Sequence, residues 1–186
     1  VFFSGIERNL AGSKFNVRVD ECRAAAYALK AFSKMEYGTF DETHLREVPL
    51  EVFDKYKYKL PDNWSKRAEH WYTEFDRVQK GVKAWRNGDI ETFGKLSFES
   101  GYSSIHNYET GSEELKTLYE IMLNTDGIYG GRFSGAGFKG CCTALIDPSF
   151  EEKIAQQVEY KYLKVFPNLK NKFATYFCVS ANGVEL

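Results

Sequence analysis

Between Ser65 and Asn87, Ala68, Trp71, Phe75, Val78, Val82 and Trp85 recur at three- and four-residue steps. Arg67, Glu69, Glu74, Asp76, Arg77 and Lys80 fall largely off that stripe. This is the period of an α-helix with one apolar face. Gly88 suits a left-handed helix stop, and Asp89 can cap a following helix that carries Ile90, Phe93 and Leu96. Two helices joined by so tight a break are expected to pack as an antiparallel pair. The same periodicity over 16–33 (Val19, Cys22, Ala26, Leu29, Phe32) predicts another helix. Residues 35–61 are charged and Tyr-rich with weak periodicity, which predicts a short helix flanked by loops.

Thr110 with Glu113, and Ser149 with Glu152, have capping-box spacing. They are expected to open helices through Leu115, Leu118 and Met122, and through Ile154, Val158 and Tyr162, with Pro167 ending the second. The period changes after Asp126. Residues 128–134 and 141–146 read as strands joined by Gly135-Ala136-Gly137-Phe138-Lys139-Gly140. Residues 1–6 and 173–180 read as two more strands. Strands and helices mix without regular βα alternation, so the fold class is α+β, an antiparallel sheet with helices packed on it, formed as a single domain over 1–186.

The Gly135-x-Gly137-x-x-Gly140 spacing matches a dinucleotide fingerprint, but that fingerprint must open a helix. Here Cys141-Cys142-Thr143-Ala144-Leu145-Ile146 follows at once, a strand-like run. No Gly-Lys-Ser/Thr occurs either. Two readings of the loop remain: a tight turn that needs glycine for positive φ, or a backbone cradle for a phosphate or sugar oxygen.

Composition narrows the function. Lys and Arg number 25 against 26 Asp and Glu, a net charge of −1, so no global field exists to hold a nucleic acid. No apolar run approaches the ~20 residues that span a bilayer. Four Cys, two of them adjacent and none in a Cys-x-x-Cys pair, argue against a disulfide framework or a zinc site. The expectation is a reduced, cytoplasmic protein with no metal of its own.

Several segments, in order and spacing, resemble the galactokinase group of the GHMP small-molecule kinases. They are Asn9-Leu10, Phe15-Asn16-Val17-Arg18 with Glu21-Cys22, Lys66-Arg67-Ala68-Glu69-His70, Phe93-Gly94-Lys95-Leu96, Ser103 to Glu109, and Gly127 to Cys141. The last looks like the third motif of that family. The resemblance implies the C-terminal lobe of an ATP-dependent sugar 1-kinase, an α+β domain related to ferredoxin-like folds. It implies ATP and Mg2+ in the full-length enzyme and a galactose-type sugar as substrate. The catalytic aspartate, metal and other phosphate loops would belong to an N-terminal lobe absent here, leaving no catalytic residue in this chain and an inactive fragment. The substrate and phosphate side would be Ser134, Gly135, Ala136, Gly137, Lys139 and Gly140, with Phe15 on the sugar wall where galactokinases carry Tyr. Lys139 stands where galactokinases have Gly and plant galacturonokinases a basic residue, which makes galacturonate the leading candidate. A missing lobe would also expose apolar surface near Val1, Phe2 and Phe3 and favour self-association. The alternative is a non-catalytic sugar- or nucleotide-sensing module, or a scaffold, derived from such a kinase.

Overall fold

The computed structural model describes residues 1–7 and 15–179. Asn9-Leu10 and Ser180 lie outside the described residues, and the strands predicted over 1–6 and 173–180 shorten to Phe2–Phe3 and Ala174–Thr175. The chain divides into two compact units: residues 1–7, 89–101 and 111–179 form one, and residues 15–88 and 102–110 the other.

The first unit is built on an antiparallel sheet of β1 (Phe2–Phe3), β2 (Ile128–Phe133), β3 (Cys141–Ile146) and β4 (Ala174–Thr175), in the order β2-β3-β1-β4. Phe2 faces Cys142 on one side and Thr175 on the other, so β1 is an interior strand and Phe2 is buried. The expected apolar scar at the start of the chain is therefore absent at Phe2, because two neighbouring strands cover it.

Helices α5 (Glu113–Leu123) and α6 (Glu151–Val165) belong to this unit. The buried side chains of α5 include Leu115, Leu118 and Met122, and those of α6 are Ile154, Val158 and Tyr162. These are the residues their periodicity selects. The caps differ from the capping-box expectation. Ser112, not Thr110, accepts the Leu115 amide (3.4 Å), while the Thr110 hydroxyl turns to the Ser104 carbonyl (3.1 Å). Asp147, not Ser149, caps the turn ahead of α6 by accepting the Ser149 amide (2.9 Å). A short polar side chain thus satisfies an orphan amide at α5 and at the turn 148–150, while α6 itself starts after Phe150 with no side-chain cap.

The early residues of α4 (Ile90–His106) lie in the same unit. Asp89 caps this helix through the Thr92 amide at 3.0 Å, as its sequence predicts. Gly94 and Gly130 let α4 and β2 meet backbone to backbone. A Cβ on Gly94 would stand within 3.0 Å of the Tyr129 carbonyl, and one on Gly130 within 3.0 Å of the Gly94 carbonyl. A bulge between Ile128 and Gly130 marks the crossing point.

The second unit packs α1 (Phe15–Ser33), α2 (Leu50–Tyr56) and α3 (Asp62–Arg86) around Ala25, Ala26, Leu29, Leu45, Val48, Phe53, Leu60 and Ala68. Phe53 stacks on Tyr72 with centroids 4.8 Å apart, and the Tyr72 hydroxyl donates to the Val48 carbonyl at 2.8 Å. Within this unit α3 packs against α1, not along α4 as the expected antiparallel pair; the last turn of α4 reaches it through His70 Nδ1 and Ser103 Oγ (2.9 Å). The predicted stripe of α3 is only half right. Ala68 is buried, but Phe75, Val78, Val82 and Trp85 are exposed, and the buried residues of that half are Gly81 and Ala84. Arg67, expected off the apolar face, is fully buried.

Candidate functional site

The loop 134–140 joins β2 to β3, and its conformation follows from three glycines. Gly135, Gly137 and Gly140 have φ of +76°, +76° and +102°, a region costly to any residue with a Cβ. The Ser134 amide donates to the Cys141 carbonyl at 2.9 Å and closes the hairpin. Two further bonds tie the loop to its surroundings. The Ser112 amide, at the start of α5, donates to the Gly137 carbonyl (3.0 Å), and the Ser4 amide donates to the Gly140 carbonyl (2.9 Å).

Phe133 is the wedge beneath the loop. Its ring is buried, meets Tyr119 edge-on at 6.5 Å, and fills the space that a Cβ on Gly137 or on Gly111 would need. Around Gly135 and Gly140 the space is open instead, with nothing within 4 Å of a built Cβ. The loop is thus pinned on its inner side and open on its outer side, where Ser134, Gly135 and Lys139 are exposed; Ala136 is half-buried and Gly137 buried. The left-handed glycines on either side of Ala136 keep the outer backbone clear of side chains, which suits a tight turn as well as the close approach of an anion. A strand follows Gly140, so the dinucleotide reading fails in the structure as it does in the sequence.

The structure gathers six of the seven expected site residues, Ser134, Gly135, Ala136, Gly137, Lys139 and Gly140, in this loop. Phe15 belongs to the other unit, where it is the first residue of α1 and exposed. Among the described residues no group of three or more His, Cys, Asp or Glu side chains could hold a metal ion.

The second unit holds a polar centre whose role sequence reasoning missed. Arg67 donates from Nε to Glu21 (2.6 Å), from Nη2 to Glu109 (2.7 Å) and from Nη1 to the Asn107 carbonyl. Arg18 adds a second cation on Glu21 at 2.8 Å, and Asn63 donates to the same carboxylate at 3.0 Å. Burial pushes the Glu21 carboxyl up, but the bonds from Asn63 and Arg67 and the charges of Arg67 and Arg18 outweigh it and hold the group below its ordinary range. One guanidinium thus ties α1, α3 and the 107–109 segment together. The signal available in the sequence was an arginine directly beside the buried Ala68.

Residues 81–164 match the family model described as GHMP kinases C terminal. The chain is 44% identical over 171 residues to a galacturonokinase of Arabidopsis thaliana, covering 91% of this chain and 39% of that protein. It is 37% identical over 156 residues to a galactokinase of Ligilactobacillus salivarius, covering 83% of this chain and 38% of that protein. The chain thus spans about two fifths of the length of these relatives. The crystal structure of Lactococcus lactis galactokinase complexed with galactose superposes with a TM-score of 0.78 at 29% identity, covering 89% of this chain and 41% of that one. The antiparallel sheet and these likenesses agree: the chain carries a GHMP kinase C-terminal domain and is homologous over most of its length to galactokinases and a galacturonokinase.

Proposed function

We propose that this chain is the sugar-side domain of an ATP-dependent sugar 1-kinase whose substrate is galacturonate. In this reaction the anomeric hydroxyl attacks the γ-phosphorus, the bond to the β-phosphate oxygen breaks, ADP leaves, and the hydroxyl proton passes to a base. The base, metal and remaining phosphate cradle are assigned to the part of the longer relatives that this chain does not match. The observation that carries the reading is the 134–140 loop, anchored on Ser112, Ser4 and Phe133, with its outer backbone open. Such a loop holds its amides in place before substrate arrives, so little ordering is needed on binding.

The choice of galacturonate rests on Lys139 and Phe15. Lys139 is exposed on the loop, and its flexible stem can bring an ammonium to a carboxylate that galactose lacks. Phe15 has no hydroxyl to donate where galactokinases carry Tyr, so a site built on it gives up a bond to a neutral hexose. The 44% likeness to a galacturonokinase supports the same choice.

The test is kinetic. The longest polypeptide that contains these residues is assayed with ATP and either sugar, unchanged and as Lys139→Gly and Phe15→Tyr. Galacturonate is expected to lead in kcat/KM by at least about tenfold, equivalent to ~1.4 kcal/mol of transition-state binding. Lys139→Gly should erase most of that lead, and Phe15→Tyr should raise the rate with galactose. A clear lead for galactose, or a preference untouched by Lys139→Gly, overturns the assignment. The 186 residues alone should turn over neither sugar, and mutation-sensitive turnover by them would refute the division of labour.

A further inference from the structure

We propose that the unit built on α1 and α3 carries a second binding pocket, for a small ring-shaped anion. The pocket has a volume of about 250 Å³, and its walls include Val19, Leu45, Trp71 and Tyr108, with Arg23 and Arg46 supplying positive charge. Pockets for drug-sized ligands run ~300–1,000 Å³, so this one suits a single ring with its substituents.

The apolar wall is fixed before any ligand arrives. Trp71 stacks on Phe75 with planes 8° apart and meets Tyr72 edge-on at 4.9 Å. Tyr108 is held against His70 with centroids 4.7 Å apart. Burial pushes the Cys22 thiol at the pocket up to about 11, and burial likewise raises the Tyr108 hydroxyl, so both stay neutral and repel no anion.

The cationic side has unused capacity. Arg23 Nε is buried without a hydrogen-bond partner among the described residues. Among the described residues its Nη1 forms salt bridges with Asp20 and Asp41, each at 3.5 Å and each largely in water. Arg46 is exposed and makes no salt bridge among the described residues. The salt bridge of neighbouring Glu47 goes to Lys30. A guanidinium presents five donors in a planar fork that fits carboxylate or phosphate, and two of them beside an aromatic wall select an anion attached to a ring. A sugar phosphate and an aromatic acid share that chemistry. The inference needs only the pocket and stands apart from the kinase reading.

Calorimetric titration of the chain with galactose 1-phosphate and, separately, with benzoate distinguishes the two sources, while saturation-transfer NMR reports contact of the ring protons with the aromatic wall. At least one probe is expected to bind with Kd at or below about 1 mM. Arg46→Gln, at an exposed position that leaves the core intact, should weaken it at least about tenfold, and Trp71→Leu should abolish the ring-proton signal. Binding of neither probe, or binding unchanged by Arg46→Gln, overturns the proposal. Because no turnover is measured, failure here leaves the kinase assignment standing, and failure there leaves this one.

Discussion

Replacing Arg67 by Met keeps most of the side-chain volume and removes three hydrogen bonds at once. Counting each charge-assisted bond at ~1.5–3 kcal/mol would overstate the loss, because the stranded partners differ in their access to water. The Glu109 side chain is 45% exposed and regains solvent, whereas that of Glu21 is only 12% exposed. Glu21 still keeps Arg18 at 2.8 Å and Asn63 at 3.0 Å. The main cost is therefore one buried carboxylate short of a cation and one carbonyl short of a donor. Removing a single partner from a buried ion pair costs ~3–5 kcal/mol, and the retained Arg18 places this case near the lower end, at about 3 kcal/mol. Trp64, Trp71 and Trp85 all lie on α3, so urea unfolding followed by tryptophan fluorescence reads this unit directly. The pH dependence supplies a sign. Glu21 is held below its ordinary value of 4.5, so its contribution is complete above that value and fades as pH falls through the lower folded-state value. Arg67→Met weakens the forces that lower the carboxyl, so the penalty should be largest at pH 7 and shrink as pH falls below 4.5 and through the lower folded-state value, since a protonated Glu21 needs no cation. A double-mutant cycle with Glu21→Gln should give a coupling of about 1–3 kcal/mol. A loss below about 1 kcal/mol at pH 7, or a penalty that grows on acidification, would refute the reasoning.

Gly94→Ala should destabilise the sheet-bearing unit by about 2 kcal/mol, since the clash with the Tyr129 carbonyl exceeds the ~1 kcal/mol gained in helix propensity; faster amide exchange in β2 and β3 measures it, and unchanged exchange would count against the crossing. Gly135→Ala and Gly137→Ala start from the same φ of +76°, so each should cost the left-handed strain of ~1–2 kcal/mol, but only the second also meets the Phe133 ring. Thermal melts in which the two substitutions cost the same would show that Phe133 does not set the loop.

The helices and the glycine hairpin were legible in the residues because both signals are local. Leu115, Leu118 and Met122, then Ile154, Val158 and Tyr162, repeat at the helical period and are buried as that period requires. Gly88 and Asp89 end one helix and cap the next where they stand in the chain. Strand, glycines and strand over 128–146 carry their own turn chemistry. Periodicity reports which face of a helix is apolar, but neighbours decide which face is covered. That is why α3 buries Gly81 and Ala84 while Phe75, Val78, Val82 and Trp85 stay exposed. The same distinction governs Arg67, whose charge marks it for solvent until Glu21, Glu109 and Asn107, distant in sequence, converge on it. It governs Phe2 as well, which is hidden only because β3 and β4 arrive from the far end of the chain to flank it. Local conformational preferences and short-range capping were thus written in the sequence. The anchoring of the loop on Ser112, Ser4 and Phe133, and the closing of a pocket by Arg23, Arg46 and Trp71, came only with tertiary structure, because each depends on groups far apart in the chain whose desolvation can be offset only once they meet.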